Sequence, residues 1–195
     1  MNPFVIIVGA GPSGLLLALL LSKKGIPVRL VDLASGPDDR PRATHYAPPA
    51  VQEMVRAGVA KEARAQGFTP RTVAWRKLDG TLLASLDGSV LDGRTDRMIC
   101  LPLDRLGKLI YSHLQQQRLA SVSWNSTVIG IGQDEKSAWI NIETPDGKET
   151  LSAPYIVGCD GANSQVRRSL FGDFEFPGRT WDQQIVATNV GSSLL

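Results

Sequence analysis

Gly9, Gly11 and Gly14 fall within the run Gly9-Ala10-Gly11-Pro12-Ser13-Gly14, directly after the apolar residues 4–8 and directly before a helix-like run 15–24 that is apolar through Leu21. Residues of this type at this spacing make a backbone that can close around phosphate. Gly9 permits a tight turn, Gly11 lets the main chain approach a pyrophosphate, and Gly14 lets helix and strand pack closely. The free N–H groups at a helix start would face the anion. A second apolar strand, Val28-Arg29-Leu30-Val31, ends in Asp32, where an acid can hydrogen-bond a ribose hydroxyl. Strand, turn, helix, strand and acid together predict a site for the ADP half of a dinucleotide.

A second constellation lies far along the chain. The apolar run Tyr155-Ile156-Val157-Gly158 reads as a buried strand that delivers Asp160 and Gly161 to its carboxyl end. Open α/β sheets place their ligands at that end. Asp160 has two compatible readings. It can accept hydrogen bonds from ribityl or ribose hydroxyls, or it can cap the helix that starts near Ala162.

Other elements must carry these residues. Gly25 and Pro27 stop the first helix. Residues 35–49 form a long loop rich in Pro, Asp and Arg, and long loops inside a domain are often functional. A short helix is predicted over 49–57, closed by Gly58. A hairpin is predicted over 72–75 and 81–86, turning at Asp79-Gly80. Helical spacing of Leu106, Leu109, Ile110 and Leu114 predicts a helix over 104–119. Strands are predicted over 122–124, 127–130, 138–143 and 148–151, and a helix runs to Leu170.

Composition narrows the function. The chain has 195 residues and a net charge of +2, which does not fit a nucleic-acid footprint. Its two cysteines, Cys100 and Cys159, have no metal or redox spacing and suit a reducing compartment, so a cytoplasmic location is expected. Two histidines are too few for a histidine metal cluster. The apolar N-terminus has fingerprint glycines and no basic leader, so neither a signal peptide nor a membrane span is expected.

The run Gly158-Cys159-Asp160-Gly161-Ala162-Asn163-Ser164-Gln165-Val166-Arg167-Arg168, with the N-terminal glycines and the loop Arg40-Pro41-Arg42-Ala43, resembles the FAD-dependent aromatic hydroxylases. These are single-component flavoprotein monooxygenases of the para-hydroxybenzoate hydroxylase type. The resemblance covers residues 4 to about 190 and the N-terminal half of that family. It implies an α/β, Rossmann-like FAD-binding domain with a parallel sheet and a small antiparallel sheet. That domain would span 1–175, with a β-hairpin excursion near 71–100, and 176–195 would begin a substrate-binding domain. It further implies FAD, NAD(P)H as transient reductant, and flavin-hydroperoxide hydroxylation of a small aromatic or hydrophobic substrate. The cofactor contacts it implies are Gly9, Ala10, Gly11, Pro12, Ser13, Gly14, Asp32, Leu33, Arg42, Val128, Asp160 and Gly161. Arg42 would pair with the pyrophosphate, and its alternative is an exposed loop arginine. Val128 would lie against the adenine, or is an ordinary core valine. Arg167 and Arg168 read as a solvated helix face, and His45 as structural. No side chain stands out as a dedicated catalytic acid or base.

Two departures from that pattern matter. The family places a polar Gln or Arg after the turn at Leu101-Pro102, and this chain has Leu103. The chain also stops near half the family's length, at Leu195, shortly after a strand-like run at 184–190 that would expose an unpaired edge. A shortened natural product, an experimental fragment and a chain completed by another polypeptide all fit. An alternative function follows: a non-catalytic module acting through self-association or a partner chain, such as an intertwined dimer. An NAD-dependent dehydrogenase fits less well, because it leaves the Asp160-Gly161 segment unexplained.

Overall fold

In the computed structural model, which describes residues 2–40, 42–172, 178–179 and 181–184, the chain begins with the strand β1 (Val5–Val8). Then follow α1 (Pro12–Lys23), β2 (Val28–Val31), β3 (His45–Tyr46), α2 (Pro48–Ala57) and α3 (Ala60–Gln66). The hairpin strands β4 (Thr72–Arg76) and β5 (Leu82–Asp87) lead through a 3-10 turn to β6 (Ile99–Cys100) and α4 (Leu103–Gln115). The last elements are β7 (Ala120–Ser123), β8 (Thr127–Gln133), β9 (Ala138–Thr144), β10 (Gly147–Ala153), β11 (Tyr155–Gly158) and α5 (Gln165–Phe171).

β1 is apolar at every position because both of its faces are covered, the usual pattern in a parallel sheet. Alternate side chains point to opposite faces. Val5 and Ile7 join Leu15, Leu19 and Leu30 under α1, α2 and α4. Ile6 and Val8 join Val31, Ile140, Ile142 and Val166 under the antiparallel sheet and α5. Three layers result: helices, a parallel sheet in the order β11-β1-β2-β7, and the meander β10-β9-β8. The α/β expectation of a parallel sheet with a smaller antiparallel one holds.

Local outcomes follow the chain's own signals, with corrections. α1 begins at Pro12 rather than Leu15, because proline's fixed φ suits a first helical position and Gly11 serves as the cap. α2 ends as expected at Gly58, whose φ of 80° requires glycine. The Lys23 ammonium donates to the Ala57 carbonyl there and ties α1 to the end of α2. α4 stops at Gln115, short of the predicted 119, because the Leu119 carbonyl must reach the Val28 N–H and lead the chain into β7. α3 was not predicted at all. The expected buried strand at 155–158 is an edge strand in the described sheet, with Tyr155 59% exposed.

The hairpin β4–β5 stands apart. Val73 pairs with Leu86 and Trp75 with Ala84, so these four share one face. Trp75 and Leu86 are exposed there. Its return is fastened by a buried carboxylate: Asp96 accepts two hydrogen bonds from Arg94, at 2.8 and 2.7 Å, and one from Gln52 of α2 at 2.9 Å. The hydrogen bond from Arg94, then that from Gln52, holds Asp96 well below its ordinary value of 3.8. A lowered carboxylate stabilises the fold above the unfolded-state value and stops doing so as the pH falls through the folded one. Wild type should therefore unfold at higher urea than Asp96→Asn at neutral pH, with the gap closing as the pH drops below 3.8. A gap independent of pH would contradict the charge-based fastening.

No helix among the described residues is long and apolar enough to cross a membrane. The expected strand at 184–190 lies almost wholly outside the described residues, and so does Pro41.

Candidate functional site

The chain runs from β1 through α1 to β2 on one side of the sheet, whereas β11 pairs with β1 on the other side. Between β1 and β11 the winding reverses, and a crevice opens at the carboxyl ends of the two strands. Ligands of doubly wound sheets bind at such a point. The two sequence motifs meet there. Val8 pairs with Gly158, and the Cys159 N–H donates to the Val8 carbonyl at 2.6 Å.

The glycine turn is locked from below and open above. Gly9 has φ 101°, and a Cβ on it would lie 2.4 Å from the Cys159 carbonyl oxygen. A Cβ on Gly14 would lie 2.0 Å from the Gly9 carbonyl oxygen. Both glycines are therefore required by backbone packed against backbone. Gly11 differs: a Cβ there would meet nothing within 4 Å. Gly161, at φ 82°, also faces open space. No side chain caps the start of α1, and no acidic residue occupies its first turn. An uncapped helix N-terminus leaves N–H groups for an anion. Open space over two glycines and an uncapped helix start fit a dinucleotide pyrophosphate.

Asp32 reaches the turn directly. Its Oδ2 accepts from the Ala10 N–H at 2.6 Å and its Oδ1 from the Ala34 N–H at 2.8 Å. Leu33 beside it is 73% exposed. On the other side of the crevice, α5 begins at Gln165 rather than near Ala162, and its cap is Ser164, whose hydroxyl accepts from the Arg167 N–H at 3.0 Å; Asp160 braces the same helix start. Its Oδ2 accepts from the Gln165 and Val166 N–H groups at 2.6 and 3.1 Å, and its Oδ1 accepts from the Ser164 hydroxyl at 2.6 Å. Oδ2 thus accepts two bonds, but Oδ1 accepts one and keeps a lone pair for a ligand hydroxyl. Burial, followed by the Asp160 charge, raises the pKa of the half-buried Cys159 thiol.

Arg42 is paired within its own loop. It donates to Asp38 at 2.9 Å, and Arg40 grips the same carboxylate through two bonds of 2.8 and 2.9 Å. The hydrogen bond from Arg40 depresses Asp38 far below the usual carboxylate range. Sequence reasoning missed this cluster, although Asp38 lies at turn distance from both arginines and was its readable signal. Val128 is half-buried against the core beneath the meander. Leu103 opens α4 half-buried, with Asp104 beside it. His45 is exposed and shares a hydrogen bond with Thr44. Arg168 hydrogen-bonds Asn163 and Gln165 on the surface of α5. Among the described residues, no three His, Cys, Asp or Glu side chains cluster to hold a metal.

Fold and site together define a dinucleotide-binding α/β domain of the Rossmann-like kind. More narrowly, residues 4–194 match the family described as FAD binding domain, and the chain belongs to that family. It is 35% identical over 188 residues to the para-nitrophenol 4-monooxygenase of Pseudomonas sp. (strain WBC-3), covering 95% of this chain and 46% of the relative. It is 34% identical over 191 residues to the 6-hydroxy-3-succinoylpyridine 3-monooxygenase HspB of Pseudomonas putida (strain DSM 28022 / S16), covering 97% of this chain and 48% of the relative. The crystal structure of p-nitrophenol 4-monooxygenase PnpA from Pseudomonas putida DLL-E4 superposes with a TM-score of 0.82 at 33% identity, over 87% of this chain and 43% of that one. A ternary complex of aklavinone-11 hydroxylase with FAD and aklavinone gives 0.74 at 25% identity, over 87% and 35%. The chain spans about half the length of the curated relatives it matches.

Proposed function

We propose that this chain is the FAD-holding part of an NAD(P)H-dependent monooxygenase acting on a small aromatic or hydrophobic substrate. The observation that carries this reading is the meeting of the glycine turn with the Cys159-Asp160-Gly161 turn, each with open space above a glycine. Residues Gly9 to Gly14 hold the pyrophosphate on the backbone of the α1 start. Arg42 leaves Asp38 to pair with a phosphate, an exchange of one anion for another at an exposed loop. Asp32 and Leu33 lie at the adenosine end, with Val128 on the strand β8. Asp160 and Gly161 lie at the ribityl end. When bound, FAD supplies the transfer of electrons from NAD(P)H to oxygen that side chains cannot perform. The chain's own share is to hold, orient and shelter the cofactor.

The reading extends to organisation and place. Residues 1–175 form the cofactor domain, 176–195 open the substrate domain, and the protein works in the cytoplasm. The aromatic substrate class rests on relatives that the chain covers by about half.

A second reading, a module acting through self-association or a completing chain, draws support from the exposed apolar face of β4–β5. A two-stranded hairpin is marginal without something packed on it.

The test is an absorbance spectrum of the purified chain after FAD is added and unbound flavin removed, with molar mass by light scattering. Flavin retained near one per chain, in a species that oxidises NAD(P)H, is the expected result. A folded, colourless chain would overturn the monooxygenase reading, and its mass would then show whether it associates.

A further inference from the structure

Two guanidinium groups share one carboxylate in the loop after β2. Arg40 approaches Asp38 with three nitrogens. Its backbone N–H donates to Oδ1 at 3.1 Å, its Nε to Oδ1 at 2.8 Å and its Nη2 to Oδ2 at 2.9 Å. Arg42 reaches only Oδ2, with its Nε and its Nη2 both 2.9 Å away. Five nitrogens therefore crowd a carboxylate that has lone pairs for about four. Arg40 engages both oxygens, whereas Arg42 shares an oxygen that Arg40 already occupies. Arg42 is thus the cation that Asp38 can lose while staying paired. Its side chain is 50% exposed, so an incoming anion can reach it. An exposed ion pair of this kind is weak, and a phosphate offers the guanidinium the same two-pronged acceptor.

Resting on the FAD reading, we propose that Asp38 is an internal competitor of the cofactor, occupying the Arg42 guanidinium until a pyrophosphate takes it. Arg40 assists the exchange without touching FAD, because it keeps Asp38 paired once Arg42 has gone. Asp38 and Arg40 thereby set how tightly the cofactor is held through a contact that exists only in its absence.

Flavin fluorescence titrations of the full chain and its variants test this. Asp38→Asn releases Arg42 and should tighten FAD binding about two- to fivefold, the range an exposed ion pair spans. A side chain that merely ordered the loop would weaken binding when replaced. Arg40→Gln leaves the Asp38 carboxylate undivided to Arg42 and should weaken binding about two- to fivefold. In the Asp38→Asn background the same Arg40→Gln change should cost almost nothing, because the competing carboxylate is gone and the two effects are coupled. Arg42→Gln should weaken FAD binding and remove the gain from Asp38→Asn. Wild type that binds FAD, with Asp38→Asn no tighter, overturns the proposal. An Arg40→Gln loss of equal size in both backgrounds also overturns it, because Arg40 then acts on the cofactor directly. If neither wild type nor Asp38→Asn binds FAD, the FAD reading itself fails and the exchange falls with it.

Discussion

Gly11→Val empties the cofactor site and leaves the fold standing. Gly11 has φ −67° and ψ 176°, a conformation any residue adopts. Beyond its chain neighbours, a Cβ there meets no protein atom within 4 Å, so a side chain can start at this position without disturbing the fold. Valine is a poorer helix cap than glycine, at a cost of about 1 kcal/mol. The space that valine fills is the space a pyrophosphate needs. Losing close backbone approach and the N–H bonds there should weaken FAD binding at least ~100-fold, or about 2.8 kcal/mol at 1.4 kcal/mol per tenfold. Urea unfolding and flavin titration of the same preparation check both halves. Unaltered flavin affinity would move the pyrophosphate away from Gly11.

Gly9→Ala should do the reverse and damage the fold itself. The added Cβ would lie 2.4 Å from the Cys159 oxygen, 2.6 Å from its carbonyl carbon and 2.8 Å from the Asp160 Cα. All three are backbone atoms held by the β1–β11 pairing, and none can swing aside as a flexible side chain would. A φ of 101° adds strain for any residue with a Cβ. Overpacking of about 1–3 kcal/mol and backbone strain of about 1–3 kcal/mol sum to roughly 2–6 kcal/mol, a large part of a typical domain's stability. The urea midpoint should fall accordingly, and flavin retention should fall with it. A variant within about 1 kcal/mol of wild type would show that the two turns are not packed as described.

These two glycines also show what could be read in advance. Their spacing, the strands around them and Asp160-Gly161 point in the sequence to the carboxyl ends of β1 and β11, because each signal is local. The roles of Gly9 and Gly11 within the crevice separate only in three dimensions, since Cys159 lies far off in sequence. Asp32 was legible as an acid at a strand end, but the acceptor it offers Ala10 depends on how β1 and β2 align. α3 escaped notice because it buries only Ala60 and Ala63, which leave no stripe of large apolar residues. β3 and β6 are two residues each and carry no periodicity. The run 155–158 is apolar in composition yet lies at an edge, and edge position belongs to topology, not to composition.

The pairing of β1 with β11 has a consequence for how the chain acquires its shape. β1 gains β2 as a neighbour soon after it is made, but its second partner exists only once Tyr155–Gly158 has been made. At ~5–20 residues per second, that is a wait of roughly ten seconds or more. Contacts so distant in sequence are slow to form. Through that interval the turn at Gly9 has no Cys159 backbone to rest on, and the crevice has only one wall. Cofactor capture is therefore a late event in the life of the nascent chain, after the helices on the opposite face of the sheet have had time to pack.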